Sequence, residues 1–269
     1  MSEVRDLEGA EPVLVRREGA VAYITLNRPD SGNSIDAPLA AALRAAIEAL
    51  HGDRTVRALV VEGAGKMFCA GGDLASFAKE ERAAARYVDG LIQDLHAALE
   101  LLAGFHAPVI AAVHGAAAGA GLGLALAADL VVAGEGGRFV MAYTRSGLTP
   151  DGGTSWLLPR LVGLRRALEL TLLNRTLTAA EALDFGMVTE VVPDEAVAAR
   201  VRELAMELAA GPTTAYATAR RLLREALTAD YGHHLASEAK SIVGSFGTED
   251  GLEGVRAFHE RRRPSFHGA

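Results

Sequence analysis

The fold is decided by the stretch Phe68-Cys69-Ala70-Gly71-Gly72-Asp73-Leu74, which ends a long loop. That loop follows residues 59–61, and an uninterrupted apolar run of this kind indicates a buried strand. Glycine lets a backbone turn sharply and approach a neighbouring chain or a ligand closely. We therefore predict a buried strand that runs into a glycine-rich loop, which in turn opens a helix.

The same arrangement occurs a second time further along the chain. The apolar residues 110–113 are followed by a glycine-rich segment, 115–121, and then by a helical pattern through Ala128. A helix start has free backbone N–H groups and a partial positive charge, and two N–H groups aimed at one point form an oxyanion hole. Spacing alone is equally compatible with two close-packed strand–helix turns that bind no ligand.

The rest of the chain divides into an α/β part and a helical part. Strands that alternate with helices indicate an α/β fold with parallel pairing and right-handed crossovers, and nearly everything after Thr154 has helical spacing. We predict an α/β core over residues 1–195 and a C-terminal helical oligomerisation region over residues 196–269. Further strands are predicted at 13–17, 21–27, 129–133, 139–140 and 188–192, and helices at 36–50, 80–102, 164–173, 178–185, 194–210, 212–227, 231–243 and 248–261.

Composition excludes several classes of protein. The 269 residues carry 27 Lys and Arg against 34 Asp and Glu, a net charge of −7, whereas binding to a phosphate backbone needs a basic surface. The single cysteine, Cys69, excludes an internal disulfide and is typical of a reducing compartment. The first residues lack the basic and apolar regions of a secretory signal. We therefore predict a cytoplasmic protein with no nucleic-acid partner.

One uncharged stretch, residues 101–128, has the length of a membrane span. Pro108, His106 and His114 interrupt it, and its second half is rich in Ala and Gly, which contribute little to insertion. We interpret it as a buried strand followed by a glycine-rich turn and a helix, and we expect no membrane partner.

The common signatures of other enzymes are absent. The sequence contains no G-x-S-x-G, no P-loop, no H-E-x-x-H and no C-x-x-C. The turn around Gly119 is a poor dinucleotide loop, because Leu124 stands where that fingerprint needs glycine. The pair His233-His234 is interpreted as a solvated helix face, and we predict no metal site.

The opening stretch resembles the F-C-A-G-x-D-L signature of the crotonase superfamily, the enoyl-CoA hydratase/isomerase family. Further matches follow in the family's order and extend over nearly the whole chain. They are Ile24-Thr25-Leu26-Asn27-Arg28-Pro29, Val113-His114-Gly115 through Gly121, Leu126-Ala127-Ala128-Asp129, the segments 147–154 and 158–160, and the tail 258–266.

The resemblance implies a spiral of ββα units with a C-terminal helical region, assembled as a homotrimer or a dimer of trimers. It implies a coenzyme A thioester as substrate, with no separate cofactor, and a thioester oxygen held between the N–H groups of Gly72 and Ala120. Arg28 and Lys66 are candidates for the coenzyme A phosphates. The other candidates for substrate binding are Ser31, Ala70, Gly71, Asp73, Leu74, Phe77, Gly119 and Tyr143; Asp73, like Asp129, is also interpreted as a cap or hydrogen-bond acceptor.

The acidic residues distinguish between reactions of the family. The two glutamates of its hydratases fall here at Gly123 and Tyr143, and neither can serve as a general base at neutral pH. Asp151 matches an acid of the isomerase branch, whose P-D-x-G-x-[ST]-W-x-L-P-R motif is similar to residues 150–160. One carboxylate suits a 1,3-proton shift, so we predict an enoyl-CoA isomerase with Asp151 as its base. As an alternative, Asp151 caps the helix that follows it.

Three other functions stay open at the level of the sequence. A hydratase of this family is compatible if another acid or base serves it. In a related branch, an aspartate at the position of Asp151 is a nucleophile on an aryl-CoA ring. A binding protein for acyl-CoA or RNA that has lost the reaction is the fourth hypothesis, although the negative charge argues against RNA.

Overall fold

A computed structural model describes residues 11–269 of the chain, so the first ten residues of the predicted core lie outside the described part. Within that part the chain forms nine strands. They are β1 (Val13–Glu18), β2 (Val21–Leu26), β3 (Ala58–Gly63), β4 (Val109–Val113), β5 (Ala116–Ala118), β6 (Leu130–Gly134), β7 (Arg138–Val140), β8 (Leu177–Thr178) and β9 (Glu190–Val192).

Eleven α-helices occupy much of the remaining described chain. They are α1 (Ala37–His51), α2 (Leu74–Lys79), α3 (Ala84–Ala103), α4 (Ala120–Ala127), α5 (Thr154–Val162), α6 (Leu164–Leu173), α7 (Ala179–Asp184), α8 (Val197–Ala209), α9 (Thr213–Glu225), α10 (Tyr231–Ser245) and α11 (Glu249–Glu260). The predicted mixture of an α/β core and C-terminal helices is confirmed.

The main sheet has six strands in the order β1-β2-β3-β4-β6-β9. Strands β1 and β2 form the predicted antiparallel hairpin, and every later neighbour pairs in parallel. Both faces of the central strands are buried: Leu59 and Val61 of β3 face the larger core, whereas Ala58 and Val60 face the smaller one. Burial on both faces explains why these strands are almost continuously apolar in the sequence.

Helices cover both faces of this sheet. The larger core contains apolar residues of α1 and α3, such as Leu43 and Leu95. The smaller core is closed by α8, whose Val197, Val201 and Ala205 pack at helical spacing. Although α8 lies beyond residue 195, it belongs to the packed core, and the boundary at 195 itself stays a prediction.

A second sheet of three strands, in the order β5-β7-β8, lies at the carboxyl side of β4. The sequence predicted only a glycine-rich turn at β5, since Ala116–Ala118 carries no side chain typical of a strand. Its conformation is imposed by pairing, because Ala117 lies opposite Phe139 of β7 and also forms a bridge with Cys69. This sheet therefore connects the two glycine-rich segments.

Helix boundaries differ from the sequence prediction in one functional region. The helix predicted over 80–102 begins at Ala84, and α2 precedes it. The short helix α2 begins directly after the first glycine-rich loop, because the carboxylate of Asp73 accepts a hydrogen bond from the backbone N–H of Ser76 and caps it. Helices α2 and α3 thus form two parts of one wall.

The C-terminal helices expose many large apolar side chains. Leu223, Val243 and Phe258 are exposed over 73%, 72% and 87% of their surfaces. We expect these side chains to be covered in an assembly, since exposed apolar patches mark interaction surfaces. No helix among residues 11–269 combines the length and the apolar character needed to cross a bilayer.

Candidate active site

A cavity of about 280 Å³ lies between the two glycine-rich loops, helices α2 and α3, and the segment that precedes α5. Its lining is mostly apolar, which is usual for a site that binds a small organic group. The residues around it are Ile35, Ala70, Gly71, Gly72, Leu74, Phe77, Val88, Leu91, Ile92, Leu95, Gly119, Ala120, Ala142, Tyr143, Ser146, Leu148, Thr149, Pro150 and Asp151. Nine predicted site residues are among them.

The two glycine-rich loops run side by side in parallel. The N–H of Ala118 donates to the carbonyl oxygen of Cys69 at 3.0 Å, and the N–H of Cys69 donates to that of Ala116 at 3.0 Å. This register pairs Cys69 with Ala117, and it places Gly71 so close to the second loop that a Cβ there would lie 3.6 Å from the nitrogen of Ala120. The two backbone groups predicted to act together therefore lie on adjacent segments.

The amide groups of Gly72 and Ala120 are both without a hydrogen-bond acceptor among residues 11–269. That of Ala120 is the first N–H of α4, whose N-cap residue, Gly119, offers no side chain. Unpaired amides at a helix start carry partial positive charge. Since both amides belong to cavity-lining residues, an oxygen that develops negative charge can accept from them.

Close packing explains why the first loop needs glycine at one position. Gly71 has a φ of +97°, and a Cβ there would lie 2.8 Å from the carbonyl oxygen of Ala118. Any other residue would force the two loops apart. Beside it, a Cβ on Gly72 would lie 3.1 Å from the ring of Phe77, which forms the apolar wall next to the Gly72 amide.

The Asp151 side chain lies at the opposite side of the second loop and pairs with His96 of α3. Oδ1 of Asp151 lies 2.7 Å from Nε2 of His96. The backbone of the same loop packs on α4, since a Cβ on Gly152 would lie 3.4 Å from the Cα of Ala120. A carboxylate and an unpaired backbone amide thus line the same cavity from neighbouring segments.

The alternative interpretation of Asp151 as a helix cap is wrong. Helix α5 has Gly153 as its N-cap residue, with no side-chain capping bond. Gly152 and Gly153 both have positive φ, 59° and 74°, which places Asp151 two residues before the cap position. The carboxylate is therefore free to face the cavity and His96.

The backbone carbonyl of Asp151 is held by three donors. It accepts hydrogen bonds from the hydroxyl of Tyr143 at 2.9 Å and from the N–H and hydroxyl of Thr154 at 3.2 and 2.8 Å. Thr154 is fully buried. These contacts fix the backbone from which the carboxylate projects.

Tyr143 stands at one of the two positions that the family resemblance assigns to the glutamates of hydratases. Burial raises the pKa of its hydroxyl above the ordinary value, so it is protonated at neutral pH. The preceding residue, Ala142, has a φ of +60°, a conformation that costs a non-glycine residue about 1–3 kcal/mol. Tyr143 therefore serves as a hydrogen-bond donor and cavity wall, not as a base.

Gly123 occupies the other glutamate position, and the structure leaves no room for a side chain there. A Cβ on Gly123 would lie 2.1 Å from the carbonyl oxygen of Gly152 and 3.2 Å from a methyl carbon of Thr154. The loop that carries Asp151 fills this space. An acid at position 123 is incompatible with the observed backbone.

Four predicted binding residues lie outside the cavity lining: Arg28, Ser31, Lys66 and Asp73. The guanidinium of Arg28 lies 3.1 Å from Asp36 and 3.0 Å from Asp73, and 24% of its side chain is exposed. Burial raises the pKa of Asp73, but hydrogen bonds from Arg28 and Ser76 outweigh it and leave that pKa below the usual value. These contacts make Arg28 and Asp73 part of the loop's structure, and their contact with coenzyme A stays a prediction.

Ser31 and Lys66 lie in the loops beside this ion pair. The hydroxyl of Ser31 donates to the carbonyl oxygen of Arg28 at 3.1 Å, and Lys66 is exposed. Asp129, interpreted from the sequence as structural, accepts from the N–H of Val109 and pairs with Arg220 and Arg224. That interpretation agrees with its place outside the cavity.

Two further observations limit the chemistry that the site can perform. Cys69 is fully buried, which raises the pKa of its thiol to about 12, and its Sγ donates to the carbonyl oxygen of Asn33. It is therefore no nucleophile at neutral pH. Residues 11–269 contain no cluster of three or more His, Cys, Asp or Glu side chains placed to hold a metal ion.

His96 is the site residue that sequence reasoning missed. It follows Ile92 by one helical turn and adjoins Leu95, and both of these line the cavity. A polar residue on the edge of an apolar helix stripe was the available signal. Its partner lies 55 residues away in the chain, so only the folded arrangement reveals the pair.

Comparison with known proteins gives consistent matches over the whole described length. A family model described as enoyl-CoA hydratase/isomerase matches residues 16–269. A Rhodobacter capsulatus protein named "Probable enoyl-CoA hydratase" is 39% identical over 249 residues, 92% of this chain and 95% of its own. The 1,2-epoxyphenylacetyl-CoA isomerase of Escherichia coli is 38% identical over 270 residues, 96% of this chain and 99% of its own.

Solved structures agree with these relatives. The crystal structure of an enoyl-CoA hydratase from a Polaromonas species has a TM-score of 0.91 at 34% identity and covers 95% of this chain and 99% of that one. The predicted crotonase-like fold is confirmed. Hydratase and isomerase names both occur among the relatives, so the names alone do not distinguish the two reactions.

Proposed function

The chain belongs to the enoyl-CoA hydratase/isomerase family, and we propose that it is an enoyl-CoA isomerase that moves a carbon–carbon double bond by a 1,3-proton shift. Its substrate is an acyl-CoA thioester whose acyl group enters the apolar cavity. The observation that carries the proposal is the distribution of acids: among the described lining residues Asp151 alone bears a carboxylate.

The first step is removal of a proton next to the double bond. The carboxylate of Asp151 takes the proton from C2 of a 3-enoyl thioester, and the electron pair of the C–H bond delocalises into the thioester carbonyl. The carbonyl oxygen then becomes negative. The amides of Gly72 and Ala120 donate to it, and each such donor contributes about 10²–10³ in rate.

The second step returns the proton to the other end of the system. The carboxylic acid of Asp151 gives its proton to C4, the enolate electrons form the C2–C3 double bond, and the carbonyl oxygen loses its negative charge. At the end of the reaction Asp151 is again a carboxylate, and the product has the same charge as the substrate. One acid–base group therefore completes the reaction.

The same distribution of acids disfavours hydration. A hydratase needs groups to activate a water molecule and to protonate carbon. At the two positions where relatives carry acids, Gly123 has no space for a side chain and Tyr143 is a protonated phenol. A hydratase reaction in this protein would have to use Asp151 and its partner His96 for both tasks.

One observation favours a second candidate function. If Asp151 is a nucleophile on an aryl-CoA ring, its oxygen displaces a leaving group such as halide, which departs with the electron pair of its bond to the ring carbon. Water must then hydrolyse the resulting ester between ring and carboxylate. His96, 2.7 Å from the carboxylate, is placed to take a proton from that water. Transfer of heavy oxygen from labelled water into the Asp151 carboxylate during turnover would support this candidate, whereas an isomerase leaves Asp151 unlabelled.

The decisive experiment is to incubate purified protein with a panel of linear and cyclic 3-enoyl-CoA and 2-enoyl-CoA thioesters. Isomerisation leaves the mass unchanged and changes the ultraviolet absorption as the double bond becomes conjugated with the thioester. Hydration adds the mass of one water. Conversion of a 3-enoyl-CoA without a change in mass supports the proposal, and accumulation of 3-hydroxyacyl-CoA as the main product contradicts it.

A further inference from the structure

We propose that His96 relays protons between Asp151 and solvent, so that the proton taken from substrate carbon exchanges with water before it returns. This inference rests on the proposed isomerase function. It concerns a residue outside the cavity lining, which acts through Asp151 and does not touch the acyl group.

Geometry places His96 between the cavity and the solvent. Nε2 of His96 lies 2.7 Å from Oδ1 of Asp151, a distance typical of a strong hydrogen bond to a charged oxygen. The Asp151 side chain is exposed over 26% of its surface and that of His96 over 47%. The imidazole thus contacts the carboxylate on one side and water on the other.

The surroundings of Asp151 determine where a proton on its carboxyl group can go. The neighbouring cavity wall is apolar, formed by side chains such as Ile92, Leu95 and Leu148. A proton on Asp151 can return to carbon or pass to His96, which is the more exposed of the two side chains. Imidazole has two ring nitrogens, so it can accept a proton at one and release a proton from the other.

The proton moves through the relay in three steps. In the tautomer of His96 whose proton is on Nδ1, the lone pair of Nε2 accepts the proton of the Asp151 carboxylic acid, which leaves a carboxylate next to an imidazolium. The imidazolium exchanges an N–H proton with water. It then returns a proton to the carboxylate, which delivers it to carbon. No net charge or proton is gained, and only the origin of the proton changes.

A purely positional role for His96 makes a different prediction. The N–H of a neutral imidazole can hold the carboxylate by donating to it. Glutamine at the same position provides an amide N–H at similar reach, but it cannot accept and pass on a proton. His96→Gln therefore preserves positioning and removes the relay. Position 96 is exposed, and glutamine favours helices, so α3 should fold normally.

The test is isomerisation in deuterium oxide, with the deuterium content of the product measured by mass spectrometry after a single pass of substrate. We expect deuterium in the wild-type product and a several-fold lower content with His96→Gln. The kcat of His96→Gln should stay within about tenfold of wild type, since loss of the base itself costs about 10²–10⁴. Glu100→Gln, an exposed change on the same helix, serves as the matched control and should behave as wild type.

The outcomes separate the relay from the isomerase proposal. Equal deuterium content with wild type and His96→Gln overturns the relay and leaves the isomerase intact, as does a wild-type product that contains no deuterium. Exchange of substrate protons that depends on His96 but yields no isomerised product sustains the relay and overturns the isomerase. A wild-type protein that neither isomerises nor exchanges overturns both.

Discussion

The hydroxyl of Tyr143 donates a 2.9 Å hydrogen bond to the backbone carbonyl oxygen of Asp151. The resemblance assigns an acid of the family's hydratases to the position of Tyr143. In this protein, Tyr143 instead supports the segment that carries Asp151. The proposed base, Asp151, thus lies on a different segment from Tyr143, and the Tyr143 hydroxyl contributes to its placement.

Asp151→Asn should abolish isomerisation while coenzyme A thioester binding is largely kept. The proposed binding groups are backbone amides, and asparagine has nearly the shape of aspartate but cannot take a proton from carbon. We expect kcat to fall by about 10²–10⁴, with a much smaller change in KM. Steady-state kinetics and thioester binding by calorimetry check this. Retention of more than about a tenth of wild-type kcat would show that Asp151 is not the base.

Tyr143→Phe should have a milder effect. The change removes one of three hydrogen bonds to the Asp151 carbonyl, and Thr154 still provides the other two. One such bond contributes about 0.5–1.5 kcal/mol to stability. We expect a modest loss of stability and a decrease in kcat well below that of Asp151→Asn. Equal losses for the two variants would instead place the Tyr143 hydroxyl in the chemistry.

Gly123→Ala should destabilise the fold, because a Cβ at this position would lie 2.1 Å from the carbonyl oxygen of Gly152. Overpacking of a rigid core costs typically about 1–3 kcal/mol. Gly90→Ala is the matched control, because a Cβ at Gly90 meets nothing within 4 Å and alanine favours a helix by about 0.5–1 kcal/mol. Denaturant unfolding of both variants checks the contrast. A Gly123→Ala protein as stable as Gly90→Ala would mean that the loop carrying Asp151 yields easily.

Stability should decrease as the pH falls below about 6.5, partly because of His106. Burial lowers the pKa of His106 below its ordinary value of 6.5. The unfolded chain therefore binds a proton more readily than the folded one. This contribution is complete above pH 6.5 and is lost as the pH falls from there toward the lower folded pKa.

Urea unfolding between pH 7.5 and 5, an interval chosen to bracket the ordinary titration of histidine at about 6.5, can isolate this contribution. We expect His106→Gln to show a smaller decrease in the free energy of unfolding over that range than the wild type. His233→Gln is the control, because the His233 side chain is exposed over 86% of its surface. An identical pH dependence for wild type and His106→Gln would show that His106 titrates alike in both states.

The chain should assemble through its C-terminal helices, as the resemblance implies for a trimer or a dimer of trimers. Large apolar side chains such as Leu223, Val243 and Phe258 are exposed there. Obligate interfaces typically bury about 2,000 Å² or more, and they are rich in such residues. Sedimentation at micromolar concentration should give a species several times heavier than 28.1 kDa. A compact monomer would contradict the prediction.

The sequence predicts the sheet well because its central strands are buried on both faces. Strands β3 and β4 are apolar runs that allow no other interpretation. The same reasoning misses β5, where three alanines have no strand preference and pairing with β7 and Cys69 decides the conformation. It also misses α2, which has only six residues and depends on the Asp73 cap.

The site was predictable in its backbone part and less so in its side-chain part. Glycine spacing identifies the loops around Gly72 and Ala120, since few other residues permit such close packing. The role of Asp151 needs the positive φ values of Gly152 and Gly153, which move it out of the capping position. His96 needs the folded arrangement itself, because nothing in α3 indicates which distant loop it meets.

The parallel pairing of residues 68–69 with residues 114–118 has an evolutionary consequence. Main-chain atoms make that pairing and supply the unpaired amides, so substitutions among the side chains of the facing wall leave the proposed oxyanion hole in place. New reactivity on a thioester enolate can therefore arise by exchange of a few residues: those that line the cavity at 143 and 151, and those beside the lining at 96 and 123. In the proposed site, main-chain amides hold the thioester and side chains determine the reaction. The type of reaction can therefore change during evolution while thioester binding is kept.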